Sequence, residues 1–381
     1  MTEKIKSRRK FIKASAAVAA GLGAITLAAC EEKKEEKKAA APAIMKAEPV
    51  VLKVQAAWGG GIFLENAKSY VDRVNAMAGS SLKIDLLSVN SVVKTSQMQD
   101  AVHRGVLDGA HYVPAYWYSK SPAASLFGTG PCFGWSAQEM LGWIHYGGGN
   151  ELFNELMETL GLDLVSFFNS PMPAQPLGWF KEEIKDVSQM KGLKYRTVGL
   201  AADVLNEMGM SVVQLPGGEI QPAMKSGLID AAEFNNPTSD SDFGMQDVSK
   251  HYHLASFHQS QEAFEITFNK TKFNSLSSEH QNILRYASEA ENSNFYWNNT
   301  LRYADDLIEL KEKHGVNVYR TPDSVMQGQL EAWDIVVDRI SAKDPYFAKV
   351  VASQKTYAKK VMDYLLLNQP DYALAYKHHF G

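Results

Sequence analysis

The segment AVHRGVLDGAHY at residues 101–112 has a counterpart, AMKSGLIDAAEF at residues 223–234, at a constant offset of 122 residues. Both segments have the pattern of a helix end, a glycine C-cap, an aspartate and a short strand that begins with small residues. The repeat predicts two similar α/β lobes whose strands end at a shared crevice, with His111 and Glu233 at corresponding positions. Two ordinary helix-to-strand turns in one larger sheet would produce the same pattern, so this alternative stays open.

A strand–helix–strand unit precedes the first copy of the repeat. Residues 50–56 (VVLKVQA) are a β-branched run, residues 63–77 carry apolar side chains at helical spacing, and residues 82–87 (LKIDLL) are the next predicted strand. This order predicts a mostly parallel sheet with helices on both faces and ligands at the carboxyl ends of the strands. Trp58 follows the first strand, where it would either contact a ligand or cover the edge of the core.

The chain becomes mainly helical towards its C-terminus. Residues 278–310 form a long amphipathic stretch that Gly315 ends, a short strand is predicted over residues 316–319, and a further helix covers residues 346–367. We expect this helical region to pack across both lobes or against a second copy of the chain.

The N-terminus has the layout of an export signal. Residues 1–30 combine a basic segment with an apolar stretch; residues 7–13 (SRRKFIK) resemble a twin-arginine signal, and residues 27–30 (LAAC) resemble a lipobox. Cys30 would then be the lipidated first residue of the mature protein, although it could instead be the last residue before an ordinary cleavage site. Residues 31–49 are charged and then rich in alanine and proline, which is typical of a flexible tether.

Composition and motifs exclude several classes of protein. The chain has 381 residues, 45% of them apolar, and its only cysteines, Cys30 and Cys132, are too few for a disulfide framework or a cysteine zinc site. Beyond residue 30 it has 33 basic and 42 acidic residues, a net charge of −9, which argues against nucleic acid as a partner. Phosphate-binding glycine motifs, nucleophile elbows and zinc motifs are missing from the sequence. Glu262 and Glu265 could bring two carboxylates together, but we expect Glu265 to pair or to face solvent.

A recognition site remains as the best interpretation. Tyr112, Tyr116 and Tyr118 lie in one strand-to-loop segment and could supply flat apolar walls and hydroxyl groups for a small ligand. At least half of the aromatic residues in this part of the chain must belong to the core instead. A small anion would also require a buried arginine, because a guanidinium can hold a carboxylate through two hydrogen bonds.

Four further segments resemble a known family. They are QPLGWF (175–180), MKGLKYR (190–196), QLPGGEI (214–220) and AAEF (231–234). Together they are similar to the solute-binding proteins of tripartite ATP-independent periplasmic (TRAP) transporters, in particular to the branch that binds 2-oxo acids and related monocarboxylates. The resemblance covers essentially the whole mature chain. It implies a two-lobed α/β fold of the type II periplasmic-binding-protein kind, with long C-terminal helices that pack across the lobes and that mediate dimerisation in some members.

The resemblance also implies a set of binding residues. Arg196 occupies the position of the arginine that forms the salt bridge to the ligand carboxylate. Gln175, Glu233 and the backbone carbonyl of Phe234 occupy the positions that hold a metal cation together with ligand oxygens, and Phe234 replaces a tryptophan. Gln259 stands where that branch has a further glutamate.

The replacement at Gln259 changes the charge balance of the implied site. A monocarboxylate, Glu233 and Arg196 together carry one negative charge, which Na⁺ would neutralise and Ca²⁺ would overcompensate. The sequence therefore favours sodium over calcium, and it also allows a site without metal in which Glu233 accepts a hydrogen bond from a ligand or tyrosine hydroxyl.

These features predict a receptor and not an enzyme. Lobe I is expected over residues 50–172, lobe II over 173–260, and a return segment with the helical C-terminal region over 261–381. The lobes would close on a small 2-oxo or 2-hydroxy monocarboxylate and deliver it to a TRAP permease. One alternative is an exported metal-assisted enzyme that uses Glu233 and His111 as base and acid; another is a receptor that presents its ligand to a sensor protein.

Overall fold

The structure, a computed structural model, describes residues 48–215 and 217–381. The predicted signal peptide with Cys30, and residues 31–47 of the predicted tether, lie outside the described residues. None of the described helices combines the length and the apolar character that crossing a membrane requires.

Strands and helices alternate through the first two thirds of the chain, and helices dominate the last third. The strands are β1 (Val50–Ala56), β2 (Leu82–Leu87), β3 (Gly109–Tyr112), β4 (Leu164–Met172), β5 (Gly178–Phe180), β6 (Lys194–Arg196), β7 (Ser211–Val213), β8 (Ala231–Ala232), β9 (His251–Leu254), β10 (Glu262–Asn269) and β11 (Asn317–Arg320). The α-helices are α1 (Gly61–Ala78), α2 (Met98–His103), α3 (Pro122–Ser125), α4 (Ala137–Tyr146), α5 (Gly149–Thr159), α6 (Leu200–Glu207), α7 (Gly217–Ser226), α8 (Pro237–Asp242), α9 (Lys270–Asn274), α10 (Ser278–Glu312), α11 (Asp323–Ser341), α12 (Pro345–Asn368) and α13 (Tyr372–Phe380). Short 3-10 helices cover Thr95–Gln97, Pro114–Trp117, Val187–Met190 and Met245–Asp247.

The first sheet has the strand order β2-β1-β3-β10-β4. β1 is parallel to β2 and β3, as the strand–helix–strand pattern predicts, and α1 buries Tyr70 and Val74 against this sheet. β10 is antiparallel to both β3 and β4, because the chain enters it on returning from the second sheet. The sheet is therefore mixed, but four of its five strands run in the same direction and only β10 opposes them, so the prediction of a mostly parallel sheet is confirmed.

The second sheet has the order β11-β9-β5-β8-β6-β7 and is also mixed. β5 is antiparallel to its neighbours β8 and β9. Gly178 opens β5 with a φ angle of 110°, and a Cβ atom there would lie 2.2 Å from the carbonyl oxygen of Ala232. Only glycine allows β5 to approach β8 this closely, immediately before Glu233.

The internal repeat folds in the same way in both sheets. The Asp108 N–H donates to the carbonyl of Lys53 (3.0 Å), and the Lys53 N–H donates to Asp108 Oδ2 (2.8 Å). Asp230 makes the same pair of hydrogen bonds with Lys194, at 2.8 and 3.1 Å. Each aspartate thus joins the start of its own strand to a parallel neighbour, and the prediction of two α/β lobes is confirmed.

The C-terminal helices connect the lobes. We refer to the first sheet with α1–α5 as lobe I and to the second sheet with α6–α8 as lobe II. The 35-residue helix α10 contacts α1 and β4 in lobe I and α8 in lobe II. α11 packs on α6, and α12 packs on α3, α4 and α5. The expected packing of these helices across both lobes is confirmed.

Candidate ligand-binding site

A small cavity lies between the lobes, at the carboxyl ends of strands from both sheets. Lobe I contributes residues after β1 and β3, lobe II contributes residues at the ends of β6 and β8, and the two crossing segments and the start of β10 complete it. The lining residues are Trp58, Phe63, Val113, Tyr116, Gln175, Arg196, Val198, Glu233, Phe234, Asn235, Gln259, Glu262 and Phe264. This position agrees with the rule that α/β sheets bind ligands beyond the carboxyl ends of their strands.

Arg196, the last residue of β6, is 5% exposed and is held by three hydrogen bonds. Its Nε donates to the carbonyl of Leu215 (2.9 Å), and its Nη1 donates to both the carbonyl and Oε1 of Glu233 (3.1 Å each). The guanidinium also lies over the ring of Phe234, 5.9 Å from its centroid. Nη2 donates to none of the described residues, so one edge of a fixed cation remains for an anion in the cavity.

Two buried carboxylates share the cavity with the guanidinium of Arg196. Glu233 pairs with Arg196, and the Oε2 atom of Glu262 accepts hydrogen bonds from Gln175 Nε2 (2.7 Å) and Asn235 Nδ2 (2.6 Å). Burial raises the pKa of Glu233 to about 7, against the lowering effect of Arg196. Burial also raises the pKa of Glu262 to about 7, and the charge of Glu233 adds to that rise. One arginine is therefore too little positive charge for both carboxylates.

Three oxygens of the lining residues are buried without a hydrogen-bond partner among the described residues: Gln175 Oε1, Gln259 Oε1 and Glu233 Oε2. The Gln175 N–H donates to the Gln259 carbonyl (3.0 Å), which keeps the two glutamines adjacent. Unpartnered carboxamide and carboxylate oxygens suit hard cations such as Na⁺ and Ca²⁺. The described part of the chain contains no group of three or more His, Cys, Asp or Glu side chains suited to a metal, so amide and carbonyl oxygens would supply most ligands.

Aromatic rings close the lobe I side of the cavity. Trp58 stacks on Phe264 with ring centroids 4.8 Å apart and lies 6.0 Å from Tyr116. Phe63 meets Phe234 of the opposite lobe edge-on at 5.8 Å. These rings limit the access of water to the charged end of the cavity, and so the electrostatic interactions there are strengthened.

Most of the residues singled out in the sequence line this cavity: Trp58, Tyr116, Gln175, Arg196, Glu233, Phe234 and Gln259. Tyr112 lies elsewhere, buried in the lobe I core, where its ring meets Trp117 edge-on at 4.7 Å. Tyr118 lies at the contact between the lobes, and its hydroxyl donates to Asp203 Oδ2 (2.6 Å).

His111 is fully buried behind the aromatic wall, and neither ring nitrogen has a partner among the described residues. Burial lowers its pKa to about 3, so that the imidazole is neutral at physiological pH. The imidazolium form, which would be the stronger general acid, is therefore not populated at this position near neutral pH.

Sequence reasoning did not assign six of the lining residues to the site: Phe63, Val113, Val198, Asn235, Glu262 and Phe264. The most consequential is Glu262, which opens a strand whose eight residues are all buried. The sequence feature that could have identified Glu262 is a carboxylate at the start of a predominantly apolar strand. Glu265, three residues on, does not face solvent; it is fully buried and accepts a hydrogen bond from Thr267 (3.0 Å).

Comparison with known proteins finds relatives with the same fold. A monocarboxylate 2-oxoacid-binding periplasmic protein of Nostoc sp. is 29% identical over 312 residues, which are 82% of this chain and 84% of that protein. A TRAP periplasmic solute-binding protein of Pseudoalteromonas atlantica, solved with bound sodium and pyruvate, is 28% identical with a TM-score of 0.79. Its counterpart from Colwellia psychrerythraea, solved with bound calcium and pyruvate, is 29% identical with a TM-score of 0.80. Each of these two similarities spans 87% of this chain and the whole of the solved chain.

The family model for bacterial extracellular solute-binding proteins of family 7 matches residues 61–344, which include both sheets except β1 and every residue of the cavity except Trp58. The chain therefore belongs to this family, the solute receptors of TRAP transporters.

Proposed function

We propose that this protein binds a small 2-oxo or 2-hydroxy monocarboxylate between its lobes and delivers it to a TRAP permease. The observation that carries this proposal is the buried Arg196, whose Nη2 has no acceptor among the described residues and which lines a cavity that also contains oxygens unpartnered within them. A guanidinium held in this way is suited to bind a carboxylate. The Nostoc relative named for 2-oxoacid binding and the pyruvate complexes of the two solved relatives support this ligand class.

In this proposal Arg196 anchors the ligand carboxylate, and the aromatic wall with Tyr116 packs on the rest of the molecule. Gln175, Glu233, Gln259 and the carbonyl of Phe234 would hold a cation. When bound, the cation supplies positive charge to the ligand oxygens. It would also relieve the excess of negative charge around Arg196.

We further propose that the lobes cover residues 50–172 and 173–260, and that residues 261–381 return to lobe I and add the connecting helices. The crossing segments between β4 and β5 and between β9 and β10 would act as hinges. A ligand that contacts both lobes favours the closed state by its differential affinity for that state.

Calorimetric titration of the protein without its signal segment tests the ligand class directly. We expect stoichiometric binding of pyruvate, lactate or a longer 2-oxo acid, and weaker binding of C4 dicarboxylates, because the cavity offers a single arginine. Each acid is titrated in sodium, in calcium, and in chelator with potassium. If no monocarboxylate binds in any of these buffers, the proposed function is wrong.

Arg196→Met is expected to weaken monocarboxylate binding at least about a hundredfold, because it removes the buried partner of the ligand charge. Arg196→Lys keeps the charge but lacks the planar fork, and its loss should be intermediate. The matched control is Arg104→Met, which removes an exposed arginine that does not line the cavity. Unchanged affinity in Arg196→Met, with Arg104→Met as the reference, would remove Arg196 from the site.

We propose no catalytic role. The enzymatic alternative needs an acid at His111, where burial lowers the pKa to about 3. Incubation of purified protein with pyruvate and calcium, followed by product analysis, is expected to show no turnover. Steady turnover that is lost in Glu233→Gln would favour the enzyme instead.

We also propose lipidation at Cys30 and dimerisation through the C-terminal helices. The sequence LAAC at residues 27–30 supports the first, and incorporation of labelled fatty acid that Cys30→Ala abolishes is its test. Leu367 in α12 and Phe380 in α13, 89% and 77% exposed, support the second. Light scattering should then give a dimer mass that falls to the monomer on removal of residues 369–381.

A further inference from the structure

Glu262 lies at the start of β10 with 5% of its surface exposed, and the proposed function leaves it without a role. Its Oε2 receives the side-chain N–H groups of Gln175 and Asn235. Its Oε1 receives none from the described residues, although the residue lines the cavity. A carboxylate oxygen is thus directed at the ligand space without a partner.

The contact with Gln175 determines which end of that carboxamide faces the cavity. Because Gln175 Nε2 donates to Glu262 at 2.7 Å, Oε1 is directed elsewhere, and this oxygen is buried without a partner in the part of the chain that the structure describes. Glu262 therefore acts on a cation site in two ways. It holds a neutral oxygen ligand in orientation, and it adds a negative charge next to that ligand.

The negative charge of Glu262 changes the net charge expected for the cation site. The net charge derived from the sequence included one carboxylate of the protein, Glu233, and it favoured sodium. Among the lining residues Arg196 is the sole cation, whereas Glu233 and Glu262 are both carboxylates. With a bound monocarboxylate the cavity carries two excess negative charges. Na⁺ would leave one of them in a desolvated space, whereas a divalent cation neutralises both.

We propose that Glu262 makes this site selective for a divalent, calcium-like cation over sodium, by adding charge and by orienting Gln175 Oε1. The inference rests on the proposed function for the identity of the acid, but the cation can be measured without any acid. Oxygen ligands, several of them neutral, suit Ca²⁺ better than Mg²⁺, which requires near-octahedral geometry and keeps several water ligands.

The test is titration of the signal-free protein with calcium chloride alone, and with sodium chloride as competitor, followed by calorimetry. We expect calcium to bind, and its affinity to fall at least about tenfold in Glu262→Gln, because affinity at such sites follows the charge of the ligand set. The matched control is Glu265→Gln on the same strand, which removes a buried carboxylate outside the cavity and should leave calcium affinity unchanged. Glu262→Thr is a second variant that removes the same charge. Because threonine has a high propensity for β-strands, it can be used if Glu262→Gln does not fold.

Equal calcium affinity in the wild type and in both Glu262 variants would overturn the inference, as would failure of calcium to bind the wild type while sodium does. The acid is examined in a second titration at saturating cation. Calcium binding that depends on Glu262 without any acid binding would refute the proposed ligand and leave the cation inference standing. Acid binding that depends on Arg196, together with equal calcium affinity in the wild type and both Glu262 variants, would refute the cation inference and leave the proposed ligand standing.

Discussion

Single residues set the electrostatics of this protein. The two buried glutamates of β10, Glu262 and Glu265, are close in sequence but have different surroundings. Glu262 faces the cavity, whereas Glu265 is sealed between the sheet and the lobe I core, with Thr267 as its hydrogen-bond donor. Burial raises the pKa of Glu265 to about 7. Since it has no cationic partner in the described residues, it is best accommodated as the neutral acid.

The raised pKa of Glu265 predicts a pH-dependent stability. Between pH 4.5 and 7 the folded protein binds this proton more strongly than the unfolded chain, so its contribution is largest at low pH and is lost as the pH rises through 7. Glu265→Gln is neutral throughout. The free energy of unfolding of the wild type should therefore fall relative to the variant by roughly 3 kcal/mol over this interval. Urea unfolding at several pH values measures it, and a constant difference would show that Glu265 is ionised in the folded protein.

At the scale of the elements, the two copies of the repeat share the same hydrogen-bond arrangement. In each, an aspartate at the start of a strand accepts the backbone N–H of the neighbouring parallel strand. Parallel pairs have slanted, less favourable hydrogen bonds, so an additional acceptor at the first residue helps to set the register. In lobe II the aspartate also forms an ion pair with Lys181 (2.6 Å).

Substitution of these aspartates should affect both lobes alike. Asp108→Ala and Asp230→Ala are each expected to lower the free energy of unfolding by about 1 kcal/mol, because a strand N–H loses its acceptor. The Asn variants keep a carbonyl oxygen at the same place and should cost less. Urea unfolding followed by far-UV circular dichroism measures the difference. Equal effects of Ala and Asn would mean that the backbone hydrogen bond contributes nothing.

At the scale of the whole molecule, contacts across the cleft stabilise the closed arrangement. Tyr118 of lobe I donates to Asp203 of α6 at 2.6 Å, and Phe63 of lobe I meets Phe234 of lobe II edge-on, with ring centroids 5.8 Å apart. Such contacts exist only while the lobes are together, so under the proposed hinge closure they add to the affinity for the ligand.

Tyr118→Phe should therefore weaken ligand binding without touching the cavity. Loss of a hydrogen bond to a carboxylate, about 1.5 kcal/mol, would lower the apparent affinity about tenfold through the population of the closed state. The control is Tyr346→Phe in α12, whose hydroxyl donates to the carbonyl of Leu152 in α5, a contact that does not involve lobe II. Calorimetry gives the affinities, and small-angle scattering should show a larger radius of gyration for the unliganded Tyr118 variant. Equal affinities of the two variants would mean that this contact does not stabilise closure.

The sequence by itself determined the elements and the two-lobed plan. Periodicity placed β1, α1 and β2; the repeat identified equivalent strands in two lobes; and the resemblance brought residues such as Arg196 and Gln175 to one place. These are local patterns, or positions at strand ends, and both follow from the periods of helices and strands.

Only the tertiary structure decided which side chains face the cleft. β3 is buried on both faces, so hydropathy does not alternate along it, and the register with β10 directs Tyr112 into the core. Glu262 meets Gln175 and Asn235 from 87 and 27 residues away, because the chain crosses between the lobes before it enters β10. Charge balance in a cavity depends on such distant encounters, and for that reason the second carboxylate, which bears on the choice of cation, was not recognised from the sequence.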